Sequence, residues 1–370
     1  MVRTIAILVR FEGQGGAPEL SLLRSFRSRW GGDYETKENP RVLGVRHPHE
    51  LLIDDVYVDL SAVLGVPVAV KCESFNFAGS VKLKAAVTMV TAAEESGLLT
   101  PDSVIIESSS GNLGVALSVV TASKGYDFVC VTDPRSSVQN RRQIEATGGR
   151  VVMVTEPDAN HGYLASRLRV VRELCASNPR FVWLNQYTNA NNWRAHYQST
   201  APAIVRRCPE LDVLFVGAGT TGTLMGCAYY LRDIGHPAQV VAVDSVGSVT
   251  FGGPAESRFI PGLGTSRRPE LVDESVLDGV IHVEEADAIR MCRTLARAGF
   301  LFGGSTGTVL AGATRWLDAA GGSRHNAVAI SPDLGERYLD TVYDDAWVAE
   351  HYGAELLDHR APVGPRDLAA

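Results

Sequence analysis

The 370-residue chain is 45% apolar and 21% charged, the balance of a folded globular protein with room for two compact lobes, and not that of a long disordered chain. Its formal net charge of -7, without long runs of like charge, argues against nucleic acid and anionic membranes as partners but leaves room for a local basic pocket. Six scattered cysteines with no Cys-x-x-Cys pair argue against a disulfide framework or a metal site, and no segment reaches the ~20 apolar residues of a membrane span, so a cytoplasmic protein is expected.

The first 45 residues fit no periodicity and read as a variable extension. The apolar stretch at 4–9 is too short for the core of a signal peptide. From there, short β-branched runs predict buried strands at 68–71, 103–107, 128–131 and 150–154, and again at 213–216, 239–243 and 327–330. Helical spacing lies between them at 82–96, 113–124, 138–147 and 161–177. The alternation predicts an α/β fold of mostly parallel sheets covered by helices on both faces. Two strand series suggest an N-terminal lobe over 46–190, part of it crossing to the other sheet, a C-terminal lobe over 191–347, and a tail over 348–370. Ligands in such folds bind beyond the carboxyl ends of strands, where loops lead into helices.

Four such loops stand out. The first, NFAGSVKLK, brings Lys82 to a helix start, where the dipole disfavours a cation and lowers the amine pKa. A solvated lysine is the bland alternative, whereas a lysine that must act as a nucleophile benefits from that shift. The second, ESSSGNLG, offers hydroxyls, a side-chain amide and free N–H groups to a carboxylate through Ser109, Ser110, Gly111, Asn112 and Leu113. A simple N-cap needs only one of those serines. The third, GAGTTGT at 217–223, suits a phosphate at a helix N-terminus. It also completes G-x-G-x-x-G, and Asp244 stands where a ribose-binding acid would, so this loop alone does not separate a phosphate site from a dinucleotide site. The fourth, GGSTGT, places Ser305 at another tight turn into a helix, where an N-cap alone is equally consistent.

The order of these loops, with the stretches SSSGNLGVAL, TEPDANHGYL, NQYTNANNWRAHY, TTGTLMG, AVDSVGS, IPGLGTSRRPE, GGSTGT and GERYLDTVYDDAW, resembles the cysteine synthase and cystathionine β-synthase family of fold-type II pyridoxal-5′-phosphate (PLP) enzymes. The resemblance spans about residues 68 to 347 and is strongest toward the branch serving 2,3-diaminopropionate biosynthesis. It implies PLP as cofactor, Lys82 as the lysine that holds it, and Asn112 at the cofactor's phenolic oxygen. Gly219, Thr220, Thr221, Gly222 and Thr223 would cradle the phosphate, although relatives usually carry glycine at the Thr221 position. Ser305 would face the pyridine nitrogen, and Ser109, Ser110, Gly111, Leu113 and Gln186 would grip the substrate carboxylate. A homodimer acting on small amino-acid substrates is the family expectation.

Two departures matter. The usual Lys-Asp-Arg is Lys82-Leu83-Lys84 here, which makes Lys84 a rival for the cofactor. The family's early Gly-Asn-Thr-Pro is replaced by a segment beginning at Asp54-Asp55. The implied reaction is β-replacement on an activated serine, O-phospho-L-serine favoured, through an aminoacrylate. The amine of L-glutamate is the favoured nucleophile, giving a 2,3-diaminopropionate precursor. A neutral serine at the ring nitrogen implies a weak electron sink, suited to expelling a β-substituent. A dianionic leaving group and an acidic second substrate call for cations, and Arg267 is the candidate. A cysteine synthase is the alternative within the family. A dehydratase, a dinucleotide-binding oxidoreductase and a non-catalytic PLP-binding regulator remain open outside that reading.

Overall fold

A computed structural model describes residues 45–158, 162–321 and 325–357. The expected extension lies outside the described residues except for Val45, as does the tail from 358 onward.

Among the described residues, ten strands form two sheets. β1 (Tyr57–Asp59), β2 (Val68–Cys72), β7 (Val213–Gly217), β8 (Gln239–Ser245), β9 (Gly279–Val283) and β10 (Ala327–Ser331) build a six-stranded sheet in the order β1-β2-β10-β7-β8-β9. Only β1 runs antiparallel, pairing Val58 with Val70, while β10 pairs in parallel with both β2 and β7. β3 (Val104–Ser108), β4 (Asp127–Thr132), β5 (Arg150–Met153) and β6 (Phe181–Trp183) form a four-stranded parallel sheet in the order β5-β4-β3-β6. The early strands β1 and β2 thus join the sheet of the late strands.

The helices are α1 (Ser61–Leu64), α2 (Lys82–Glu95), α3 (Asn112–Lys124), α4 (Val138–Ala146), α5 (Leu164–Ser177) and α6 (Asn191–Gln198). They continue with α7 (Thr200–Arg207), α8 (Gly222–Asp233), α9 (Glu285–Arg297), α10 (Gly304–Ala319) and α11 (Asp345–Tyr352). Strand periodicity decides what each one covers. Val213, Phe215, Val241 and Val243 face α10 and α9 through Leu310, Ala313, Leu317 and Leu295, while Leu214, Val216, Val240 and Ala242 face α7 and α8 through Ile204, Leu224 and Met225. In the smaller sheet, Ile105 and Phe128 pack against α2 and α3, and Val104, Ile106 and Val129 against α5. Burial on both faces accounts for the continuous apolar runs and pins each register, because a slip of one residue would exchange the two faces.

The expected α/β architecture is therefore present, and its predicted strands and helices match to within a few residues at each end. Residues 348–357, read as part of the tail, belong to the packed structure instead. Val348 on α11 and Leu356 beyond it are buried against Ile260, Ile289 and Tyr338.

Candidate active site

Three of the four loops follow the carboxyl ends of parallel strands and open into α2, α3 and α8; the fourth opens into α10 beside the end of β10. They converge on a cleft of about 380 Å³ lined by Lys82, Ser109, Ser110, Gly111, Asn112, Leu113, Gln186, Gly219, Thr220 and Ser305, among others. Lys82 is half-buried, and burial lowers its amine pKa to about 8. The direction is the expected one, although desolvation rather than the helix dipole accounts for it. Its Nζ reaches the Thr220 hydroxyl at 3.4 Å, so the amine and the third loop face each other across the cleft.

Lys84 points elsewhere. It is buried and held by Glu73 at 2.6 Å, by Asp54, and by Thr200 at 3.0 Å. This also explains the altered early segment, because Asp54 stands in it and supplies a partner for the unusual lysine. Asp244 is fully buried in β8, accepts the Ser245 N–H at 2.8 Å, and does not line the cleft, so it is not presented to a ribose there.

In the second loop, Ser109 takes up the orphan amides at the start of α3, accepting from the N–H groups of Gly111 (3.3 Å) and Gly114 (3.0 Å). Ser110, Asn112 and Leu113 line the cleft beside it. Gln186 is anchored from both sides: its Nε2 donates to the Ser108 carbonyl at 2.9 Å and its backbone N–H to Glu107 at 3.2 Å. In the third loop, Gly219 and Thr220 line the cleft, while Thr221, Gly222 and Thr223 lie behind its wall. Thr221 adopts φ 66°, a left-handed conformation that costs a side chain energy and suits the glycine usual at this position. Thr223 bonds His196 at 3.2 Å, and Asn192 donates to Thr220 at 3.1 Å.

The structure does not bring Arg267 to this cleft. It is exposed, pairs with Glu270 at 3.3 Å, and borders a separate pocket of about 50 Å³. Three other arginines line the main cleft: Arg135, Arg167 and Arg258. Arg167 is buried and pairs with Asp133 at 3.1 Å, while its Nη1 meets no hydrogen-bond partner. Arg258 leaves both Nε and Nη1 buried and unpartnered. Its guanidinium lies over Gly264 (φ 70°), where a Cβ would overlap Nη1. Arg267, the arginine expected from the sequence, thus lies outside this cleft, whereas Arg258 lines it. No periodicity marks Arg258, whose insertion depends on a glycine six residues further on. Arg135, within TDPRSS, and Arg167, just beyond TEPDANHGYL, were detectable only as cations beside family-like stretches.

No helix among the described residues is long and apolar enough to cross a membrane. Residues 57–333 match the family model described as pyridoxal-phosphate dependent enzyme. Two relatives, each named N-(2-amino-2-carboxyethyl)-L-glutamate synthase, come from Cupriavidus metallidurans and Ralstonia nicotianae. Both are 42% identical over 283 and 281 residues respectively, covering 75% of this chain and 83% of each relative. Among solved structures, an O-ureido-L-serine synthase superposes with a TM-score of 0.75 at 33% identity, covering 82% of this chain and 99% of that one. A hydrogen sulfide-producing enzyme from Fusobacterium nucleatum superposes with a TM-score of 0.74 at 29% identity, covering 80% and 100%.

Proposed function

Because the chain belongs to the pyridoxal-phosphate dependent enzymes, we propose that it replaces the phosphate of O-phospho-L-serine by the amine of L-glutamate, with Lys82 holding the cofactor. The donor set suits PLP. A half-buried lysine of lowered pKa faces a loop that ends at the N-terminus of α8, where the loop amides and the Thr220 hydroxyl would receive a phosphate. The loop also stays narrow: a Cβ on Gly219 would stand 2.8 Å from the Gly262 carbonyl.

When bound, PLP supplies the electron sink for bonds at the substrate's α-carbon. The residues supply the rest. Lys82, neutral at mildly alkaline pH, takes the α-proton and later returns one. Thr220 and Gly219 steady the phosphate end of the cofactor, with Asn112 and Ser305 at its ring. The amides and hydroxyls of the 109–113 loop, with Gln186, orient the substrate carboxylate. Arg167 and Arg135 stand ready for the departing phosphate dianion and Arg258 for the second substrate's side chain; charge-assisted and bidentate pairing favours arginine for both tasks. A cytoplasmic homodimer is part of the same proposal, and the six free thiols are in keeping with that setting.

The observation that carries this reading is the set of three arginines in the wall of the Lys82 cleft, where a sulfide nucleophile would need none. The test mixes the holoenzyme with O-phospho-L-serine or O-acetyl-L-serine, follows release of the leaving group, and then adds glutamate, other amino acids or sulfide with product mass as readout. A glutamate adduct formed preferentially from phosphoserine is expected. Product from sulfide alone would make the protein a cysteine synthase.

A further inference from the structure

Helix α11 lies beyond residues 57–333, the part of the chain matched by the family model, yet it reaches the loop that carries Arg258. Phe259 sets its ring against His351 at 4.7 Å between centroids and against Tyr352 at 6.0 Å, and Trp347 stacks on His351 at 4.6 Å. The next residue, Ile260, is buried with Val348 and Leu356. Its side chain fills the space over Gly304, where a Cβ would stand 2.4 Å from it.

Glu285, the first residue of α9, ties these parts together. It is buried and accepts the N–H of Ile260 at 2.7 Å and that of Phe259 at 2.9 Å, and the hydroxyl of Tyr352 lies 2.7 Å from its Oε2. A carboxylate only accepts, so Tyr352 is the donor. Bonds to a carboxylate are of the stronger, charge-assisted kind. Two amides of the cleft loop and one hydroxyl of α11 thus share a single acceptor.

The Phe259 N–H belongs to the planar peptide unit that starts at the Cα of Arg258. Bonding it therefore fixes the plane from which the Arg258 side chain leaves. The tip of that side chain supplies no comparable anchor, because its Nε and Nη1 are buried without a hydrogen-bond partner. Burial works against its charge, whereas the carboxylates of Asp244 and Glu285 favour it.

We propose that Glu285 and Tyr352 are positioning residues for Arg258. The α11 hydroxyl seats Glu285, and Glu285 holds the backbone at 259–260 so that the guanidinium faces the second substrate. On this account α11 is a specificity element supplied from outside the family-matched residues. The inference deepens the reading of Arg258 given above and rests on it.

The test uses the full-length holoenzyme and its Tyr352→Phe and Glu285→Gln variants. Hydrogen exchange is read in the peptide that contains the Phe259 and Ile260 amides, and modification of Arg258 by phenylglyoxal is mapped by peptide mass. KM for glutamate is measured beside the rate of phosphate release from phosphoserine. Tyr352→Phe removes one charge-assisted bond, so exchange and modification should each speed up about tenfold. KM should rise several-fold while phosphate release stays within about twofold. Glu285→Gln should move every reading in the same direction and further; if it fails to fold, Tyr352→Phe decides alone. Exchange or modification at the wild-type rate in Tyr352→Phe would overturn the inference, because a merely structural bond would lower Tm and nothing else. Equal losses in phosphate release and in glutamate use would overturn it as well. A wild type that forms no glutamate adduct would remove the proposed function, and exchange with Arg258 modification would then decide this inference separately.

Discussion

Replacing Lys84 with methionine separates a buried structural charge from the cofactor lysine two residues away. Lys84 is almost fully buried and holds two carboxylates, Glu73 at 2.6 Å and Asp54, with Thr200 at 3.0 Å completing its shell. Removing one partner of a buried pair costs about 3–5 kcal/mol because the other charge stays uncompensated. The lower end applies here, since Glu73 keeps Lys71 at 2.9 Å and Asp54 can turn to water. At roughly 2 °C per kcal/mol in a chain of this size, Lys84→Met should lower Tm by about 6 °C. It should nevertheless still carry PLP on Lys82, as read by visible absorbance and by mapping the borohydride-reduced peptide. Lys82→Ala should show the opposite pattern, a nearly unchanged Tm in the absence of PLP with no covalent attachment. A pyridoxyl group on Lys84, or a Lys84→Met protein that keeps its Tm but loses the cofactor, would refute the assignment.

Arg258→Gln should raise KM for the second substrate at least tenfold while leaving phosphate release from phosphoserine within about twofold, since a buried charged pair is worth roughly 2–5 kcal/mol. Gly264→Ala should reproduce that pattern by displacing the guanidinium, and Arg267→Gln should change neither step; a defect confined to Arg267→Gln would restore the first candidate. Attachment of PLP to the apo-protein requires a neutral amine, and Lys82 titrates at about pH 8. The attachment rate, followed by stopped-flow absorbance, should climb about tenfold per pH unit below that value and level off above it. A rate still climbing tenfold per unit at pH 9.5 would place the nucleophile at an unperturbed lysine.

Local chemistry made much of this site legible. A strand followed by a hydroxyl- and glycine-bearing turn into a helix is a short-range pattern; Lys82, Asn112 and Thr220 each sit in one, and Ser305 in a similar turn that follows α9. What stayed hidden depends on contacts between distant segments. Arg337 reaches Asn112 across 225 positions of chain, and Asp333 meets Asn112 across 221, so neither partnership leaves a periodic trace. Arg258 lies in an irregular loop, and only the glycine beneath it allows its course. The short strands β1 and β6 have three residues each, too few for alternation to register, and their place is settled by pairing with β2 and β3. Thr221 was visible as a departure from the family, yet its meaning lies in a backbone angle.

Glu107, at the end of β3 where the asparagine loop begins, joins stability to the surface around Gln186. Its carboxylate is fully buried and accepts from Trp183 Nε1 (3.0 Å) and the N–H groups of Ser108 (2.9 Å) and Gln186 (3.2 Å). Burial nevertheless dominates and lifts its pKa from 4.5 to about 7. A carboxyl raised on folding holds a proton that the unfolded chain releases, so its contribution is full below pH 4.5 and is lost as pH rises through 7. At 1.36 kcal/mol per pH unit, that loss amounts to roughly 2–3 kcal/mol between pH 5 and 8. Glu107→Gln cannot titrate, so the difference in urea unfolding free energy between wild type and variant isolates the residue from every other titrating group. The wild type should lose that amount relative to the variant across the interval, and parallel curves would show that Glu107 is ionised throughout. The amide would also turn an N–H toward the donor of Gln186, where the carboxylate now accepts. The Gln186 turn should therefore loosen and KM for phosphoserine rise several-fold at every pH, which a purely electrostatic role for Glu107 would not produce.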